Sequence, residues 1–120
     1  MKLYVLLDGL ADDESPATVA DKLQAAINLW LASEDLEITL VDERPEDKES
    51  WQVGLQFECQ RKATLKAPLD FLFKWSKKAE REFVIGFYDK RSGEREDVCY
   101  FGFEEGKPDV NEVAMYLGNF

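Results

Sequence analysis

The hydrophobic pattern of the chain opens with an unbroken apolar run, Leu3-Tyr4-Val5-Leu6-Leu7, which reads as a central strand over residues 2–7 covered on both faces. Ser15-Pro16 then has the form of a helix cap followed by proline in the first turn. Val19, Leu23, Ala26, Ile27 and Trp30 recur at helical spacing, which predicts a first helix reaching Ser33. Leu36, Ile38 and Leu40 alternate with Glu37 and Thr39, a second strand with one wet face. After the polar loop Asp42 to Glu49, the alternation of Trp51, Val53, Leu55, Phe57 and Cys59 with Gln52, Gly54, Gln56, Glu58 and Gln60 predicts a third strand.

Ala67-Pro68 opens a second helix carrying Leu69, Leu72, Trp75, Ala79 and Phe83 on one side. Phe83 to Tyr88 reads as a strand, Asp89 to Gly93 as a turn, and Val98 to Phe103 as its hairpin partner. Asp109 and Glu112 have capping-box spacing ahead of Val113, Ala114 and Leu117, with Gly118 placed to end a short third helix. The resulting order, β-α-β-β-α-β-β-α, is that of an α+β fold in a single domain over residues 1–120. Its first six elements match the ferredoxin-like β-α-β-β-α-β core, extended by a hairpin strand and a C-terminal helix. Right-handed crossovers would put both long helices on one face of a mainly antiparallel sheet.

Composition narrows the chemistry. The 120 residues include 15 Lys and Arg against 25 Asp and Glu, a net charge of −10, and no histidine. Triads and metal sites that depend on imidazole are therefore excluded. A −10 body is repelled by phosphate, so direct binding to nucleic acid and to anionic membrane surfaces is disfavoured. No apolar run approaches the roughly 18 residues of a bilayer span, and the short one at the start closes on Asp8, which leaves cytoplasm as the default compartment. Cys59 and Cys99 have no CxxC spacing, so a disulfide framework or thiolate metal site is not expected.

The charge is uneven. Residues 1–60 hold 14 acids and 4 bases, residues 61–120 hold 11 of each, and residues 61–81 alone are net +5. On a helical wheel at about 100° per residue, Lys74, Lys77, Lys78 and Arg81 occupy one side of the second helix. Its apolar arc is wider than one sheet face requires, which leaves Phe71 and Trp75 at an edge where a second surface could meet them. Tyr4, Leu6, Val84, Tyr88 and Tyr100 fall on the sheet face opposite that served by Val53 and Leu55, too much apolar bulk to leave bare. Helix 3 or a second subunit is expected to cover it, and a homodimer is one outcome.

No catalytic constellation stands out. Asp8, Asp12, Asp13 and Glu14 could offer hard oxygen ligands to a divalent cation, but acids also gather before helix N-termini, where the macrodipole favours them. Leu6-Leu7-Asp8-Gly9-Leu10-Ala11-Asp12 resembles the opening motif of the cofactor-independent phosphoglycerate mutases over seven residues. That resemblance implies a two-metal phosphotransfer site built on several histidines in a far longer chain. A 120-residue chain without histidine cannot supply it. Neither cysteine has a histidine base, and no phosphate-binding glycine loop occurs.

The charge layout instead points to a small acidic protein-interaction module, without enzymatic activity or cofactor, that docks a basic protein surface. Immunity proteins, antitoxins and inhibitors that imitate nucleic-acid charge form the class analogy. The residues placed to carry it are Asp12, Asp13, Glu14, Glu34, Asp35, Glu37, Asp42, Glu43, Glu46 and Asp47, with Phe71 and Trp75 as apolar anchors. The alternatives are a small-molecule-binding regulatory domain with a pocket near Tyr4, Tyr88 and Tyr100, and a carboxylate- or metal-dependent enzyme using Asp8, Asp12 and Asp13.

Overall fold

The computed structural model describes residues 1–118. Five strands, β1 (Lys2–Leu7), β2 (Ile38–Glu43), β3 (Gln52–Glu58), β4 (Glu82–Tyr88) and β5 (Arg95–Gly102), form one antiparallel sheet in the order β2-β3-β1-β4-β5. Three helices, α1 (Pro16–Ser33), α2 (Lys66–Ala79) and α3 (Val110–Leu117), complete an α+β architecture.

All three helices lie on one side of the sheet. Leu3, Val5 and Leu7 of β1 share a buried cluster with Val53, Leu55 and Phe57 of β3, Phe83 and Ile85 of β4, and Phe101 of β5. Ala20, Leu23 and Ile27 of α1, Leu69 and Leu72 of α2, and Val113, Ala114 and Leu117 of α3 close that cluster from above. The period-2 pattern of β3 thus decides which face is dry. The expectation that α3 crosses the opposite face is corrected: its apolar stripe is drawn to the same core as the other helices. Among the described residues, no helix covers the second face of β1.

Several boundaries move for local reasons. Ser15 precedes α1, but its side chain makes no cap bond, and its amide instead donates to Asp13 Oδ1 at 2.8 Å. β2 begins at Ile38 and runs on to Glu43, because its register follows β3 from Phe57 to Gln52, while Leu36 is left outside and exposed. β5 begins three residues earlier than the pattern implied, at Arg95, because it pairs with β4 as far as Tyr88. Phe83 belongs to β4: α2 stops at Ala79, and Glu80 takes a left-handed conformation at φ 56°, a turn that glycine would usually serve. Asp109 caps α3 as its spacing suggested, accepting from the amides of Asn111 and Glu112. No helix among the described residues is long and apolar enough to cross a membrane.

Candidate functional site

The topology divides the acidic candidates between two ends of the molecule. β1 and β2 are both antiparallel to β3, so they run the same way, and the loops that follow them lie together. One end therefore gathers Asp12, Asp13 and Glu14 with Asp42, Glu43, Glu46 and Asp47. Glu34, Asp35 and Glu37 sit past the other end of α1, whose 18 residues separate the two sets by about 27 Å at 1.5 Å per residue.

Two of these acids are in ion pairs and a third is hydrogen-bonded within its own loop. Asp13 accepts from the Ser15 amide and pairs with Arg81, and both interactions hold its carboxyl below the usual carboxylate value. Arg44 binds Asp42 at 2.8 Å and Asp21 at 2.7 Å, and its guanidinium also lies 5.6 Å from the Trp51 ring centre. Asp47 accepts from the Glu49 amide and the Ser50 hydroxyl, which ties down the loop before β3. Asp12, Glu14, Glu43, Glu46 and Asp47 have no ion-pair partner among the described residues, and neither do Lys74, Lys77 and Lys78 on the outer side of α2. Arg81, expected on the same side of the helix, instead lies past its end at Ala79 and pairs with Asp13 of the acidic loops.

Phe71 and Trp75 are consumed within the helix layer. The Phe71 ring stacks on Trp30 of α1 with centroids 4.4 Å apart and planes within 2°. Trp75 meets Phe83 edge-on at 5.9 Å. The wide apolar arc of α2 is thus explained by a neighbouring helix as well as the sheet. A signal for this existed, since Trp30 lies at the C-terminal end of α1, which the topology places beside the start of α2.

The helix-free face is built differently. Tyr4 is completely buried there, and Leu6, Val41 and Val84 are buried beside it. Tyr4 lies across Gly86 and donates its hydroxyl to Asp97. Burial first, and then this hydrogen bond, push the phenol well above its ordinary pKa. Tyr88 packs edge-on to Tyr4 at 5.1 Å, the Arg95 guanidinium lies 5.1 Å from the Tyr4 ring centre, and Lys2 Nζ lies 5.0 Å from that of Tyr88. Tyr100 is half-exposed on the same face, so only Tyr88 of the three tyrosines lines a cavity.

A bulge in β5 makes this arrangement. Ile85 pairs with Cys99 but Gly86 pairs with Asp97, so Val98 is the extra residue. Without it, Val98, Glu96 and Glu94 would have faced Tyr4. With it, Asp97 and Arg95 do. Hydrophobic alternation alone could not reveal Arg95, Asp97 and Lys2 as members of one cluster, because the bulge inverts the parity of half a strand.

Two cavities open on this face. One, of about 780 Å³, is lined by Lys2, Gln52, Gln56, Tyr88 and Arg95, with Asp42 and Glu43 at its β2 edge. The other, of about 570 Å³, runs from Arg95 and Asp97 past Gln52 and Trp51 to Asp8 and Asp12. They share Gln52 and Arg95, so the groove leads to the acidic end. No family model, curated protein or solved structure matches the chain.

Cys59 is buried just past β3 with its thiol toward the Arg61 carbonyl, and Cys99 is half-buried in β5; burial pushes both thiols up. Among the described residues no three carboxylate or thiol groups are gathered in a geometry able to hold a metal ion.

Proposed function

We propose that the protein is a small acidic interaction module, acting without catalysis in the cytoplasm, that docks a basic protein surface against the end where β1 and β2 finish. The observation that carries this reading is the set Asp12, Glu14, Glu43, Glu46 and Asp47: exposed, clustered by the parallel run of β1 and β2, and left without ion-pair partners among the described residues. Carboxylates so placed steer a positive partner and occupy positions where phosphates would otherwise lie, as an immunity-type or nucleic-acid-mimicking inhibitor requires. The far set, Glu34, Asp35 and Glu37, contributes only long-range charge. Phe71 and Trp75 drop out as anchors, since their rings are engaged by Trp30 and Phe83. The ferredoxin-like core belongs to the same proposal: β1 and β3 at the centre, with β2 and β4 outside them, support a split β-α-β arrangement to which β5 adds an edge.

The test is a titration with an oligo-arginine peptide, followed by amide shifts. Saturable binding is expected, with shifts at residues 11–14 and 43–49 and at least tenfold weakening from about 50 to 500 mM salt. The variant Asp12→Asn/Glu14→Gln/Glu46→Gln/Asp47→Asn should lose it, and Glu34→Gln/Asp35→Asn/Glu37→Gln should keep it. Equal loss in both variants, or shifts spread over both ends, would refute a defined docking surface.

The groove on the helix-free face supports a second reading, a small-molecule-binding regulatory domain. Its 780 Å³ cavity lies in the size range of ligand sites, although it is lined by polar side chains.

A further inference from the structure

The two cations on the helix-free face are held in an unusual way for so acidic a chain. Neither Lys2 nor Arg95 donates a side-chain hydrogen bond among the described residues. Arg95 lies 3.8 Å from Asp97 Oδ1, beyond hydrogen-bond length, and that oxygen already accepts the Tyr4 hydroxyl. Each cation is instead positioned over an aromatic ring, and those two rings pack against each other at 5.1 Å. Cation–π placement fixes a side chain while leaving its N–H groups free, and a guanidinium held flat on a ring presents its donor fork outward. Gln52 and Gln56 line the same cavity with uncharged amides able to donate. The bulge at Val98 is the device that brings Arg95 to this face, and bulges that re-aim a side chain are concentrated beside functional sites.

We infer that the groove between Lys2 and Arg95 binds a small organic dianion, one carboxylate taken by the Arg95 fork and the second by Lys2, with Gln56, which pairs with Tyr4 across the sheet, completing the hydrogen bonds. The ligand lies away from Asp42 and Glu43, of which Asp42 is neutralised by Arg44, and takes the Arg95 N–H groups that do not face Asp97, whose Oδ1 ion-pairs with Arg95 at 3.8 Å and accepts the Tyr4 hydroxyl. Charge complementarity favours a small anion over a strand or a basic partner, because the donors are few and lie over two neighbouring tyrosine rings. This inference rests on the second reading above and is independent of the acidic docking surface.

Succinate, a dicarboxylate, serves as the probe, titrated against acetate and against sodium chloride of matched ionic strength. Saturable shifts are expected at the side-chain amide of Gln56 and at the Arg95 Nε–H, with acetate weaker. Arg95→Gln should raise Kd about tenfold or more, and Lys2→Gln, at a residue that carries no core contact, should do the same in smaller measure. Arg91→Gln, on the nearby hairpin, should leave binding unchanged. Shifts centred on Arg61 and Lys62, no saturation beyond the sodium chloride control, or indifference to both Arg95→Gln and Lys2→Gln would each overturn the assignment. Oligo-arginine binding is measured separately, so loss of either activity leaves the other readable.

Discussion

On its helix side the sheet buries Leu3, Val5, Leu55, Phe83 and Phe101 under three helices, whereas on the other side Tyr4, Leu6, Val41 and Val84 reach comparable burial with no helix above them among the described residues. The first face is closed by interdigitating apolar side chains. The second is roofed by long polar ones: Lys2 and Arg95 lie over the Tyr88 and Tyr4 rings, and the half-buried Gln52 and Gln56 line the cavity beside them. An aliphatic core is shut permanently, while a roof of solvated side chains can shift to admit another molecule. Stability therefore concentrates on one face, and the small-anion site proposed above lies on the other.

That contrast is sharpest at Phe83, which stacks on Phe101 at 5.5 Å and meets Trp75. Phe83→Ala should cost about 3–5 kcal/mol in denaturant unfolding, because the cavity cannot collapse between two layers. A loss no larger than that of a surface change would mean the helix layer is loosely docked.

The next largest effect lies on the open face. A methyl group at Gly86 would overlap the Tyr4 hydroxyl and the Glu96 carbonyl. Gly86→Ala should cost about 1–3 kcal/mol and displace the Tyr4–Asp97 contact, visible as shifts at Asp97 and Arg95. A neutral outcome would show that the bulge is pliable rather than fixed by Tyr4.

Tyr4→Phe removes only the hydroxyl and should cost about 1 kcal/mol at neutral pH. Its clearer signature is alkaline. Because burial and the hydrogen bond to Asp97 raise the phenol's pKa, the folded protein keeps a proton that the unfolded chain releases. The wild type's stability from this group is intact below the ordinary tyrosine value of about 10 and declines as pH rises past it. Tyr4→Phe should lack that decline. Parallel pH profiles for the two proteins would mean that Tyr4 ionises freely.

The smallest effect belongs to the acidic rim. Replacing Asp12, Glu14, Glu46 and Asp47 by their amides should change stability by no more than about 0.5 kcal/mol each, since exposed charges away from partners contribute little. A large gain would mean that mutual repulsion strains these loops. A large loss would mean that Asp47 acts mainly as a cap.

How far the chain could be read from its residues follows from the same contrast. The helix-side face was legible, because Val53, Leu55 and Phe57 against Gln52, Gln56 and Glu58 carry the strand period undisturbed, and Pro16, Asp109 and Gly118 mark helix ends. The end of α2 was not, because Glu80 adopts a glycine-like conformation with no glycine to announce it. The acidic loops were visible as composition, but their separation into two ends depends on strand direction. Arg95 was hidden altogether: one extra residue at Val98 reverses which side of the strand each neighbour occupies, and nothing in the local pattern of charged residues reports that reversal.

The central place of β1 has a consequence for how the chain is made. Its neighbours are β3 and β4, ending at Glu58 and Tyr88. At a synthesis rate of roughly 5–20 residues per second, β1 leaves the ribosome several seconds ahead of its second neighbour. Throughout that interval Leu3-Tyr4-Val5-Leu6-Leu7 is the stickiest exposed segment of the nascent polypeptide, and a chaperone that shelters early apolar stretches would find its target there.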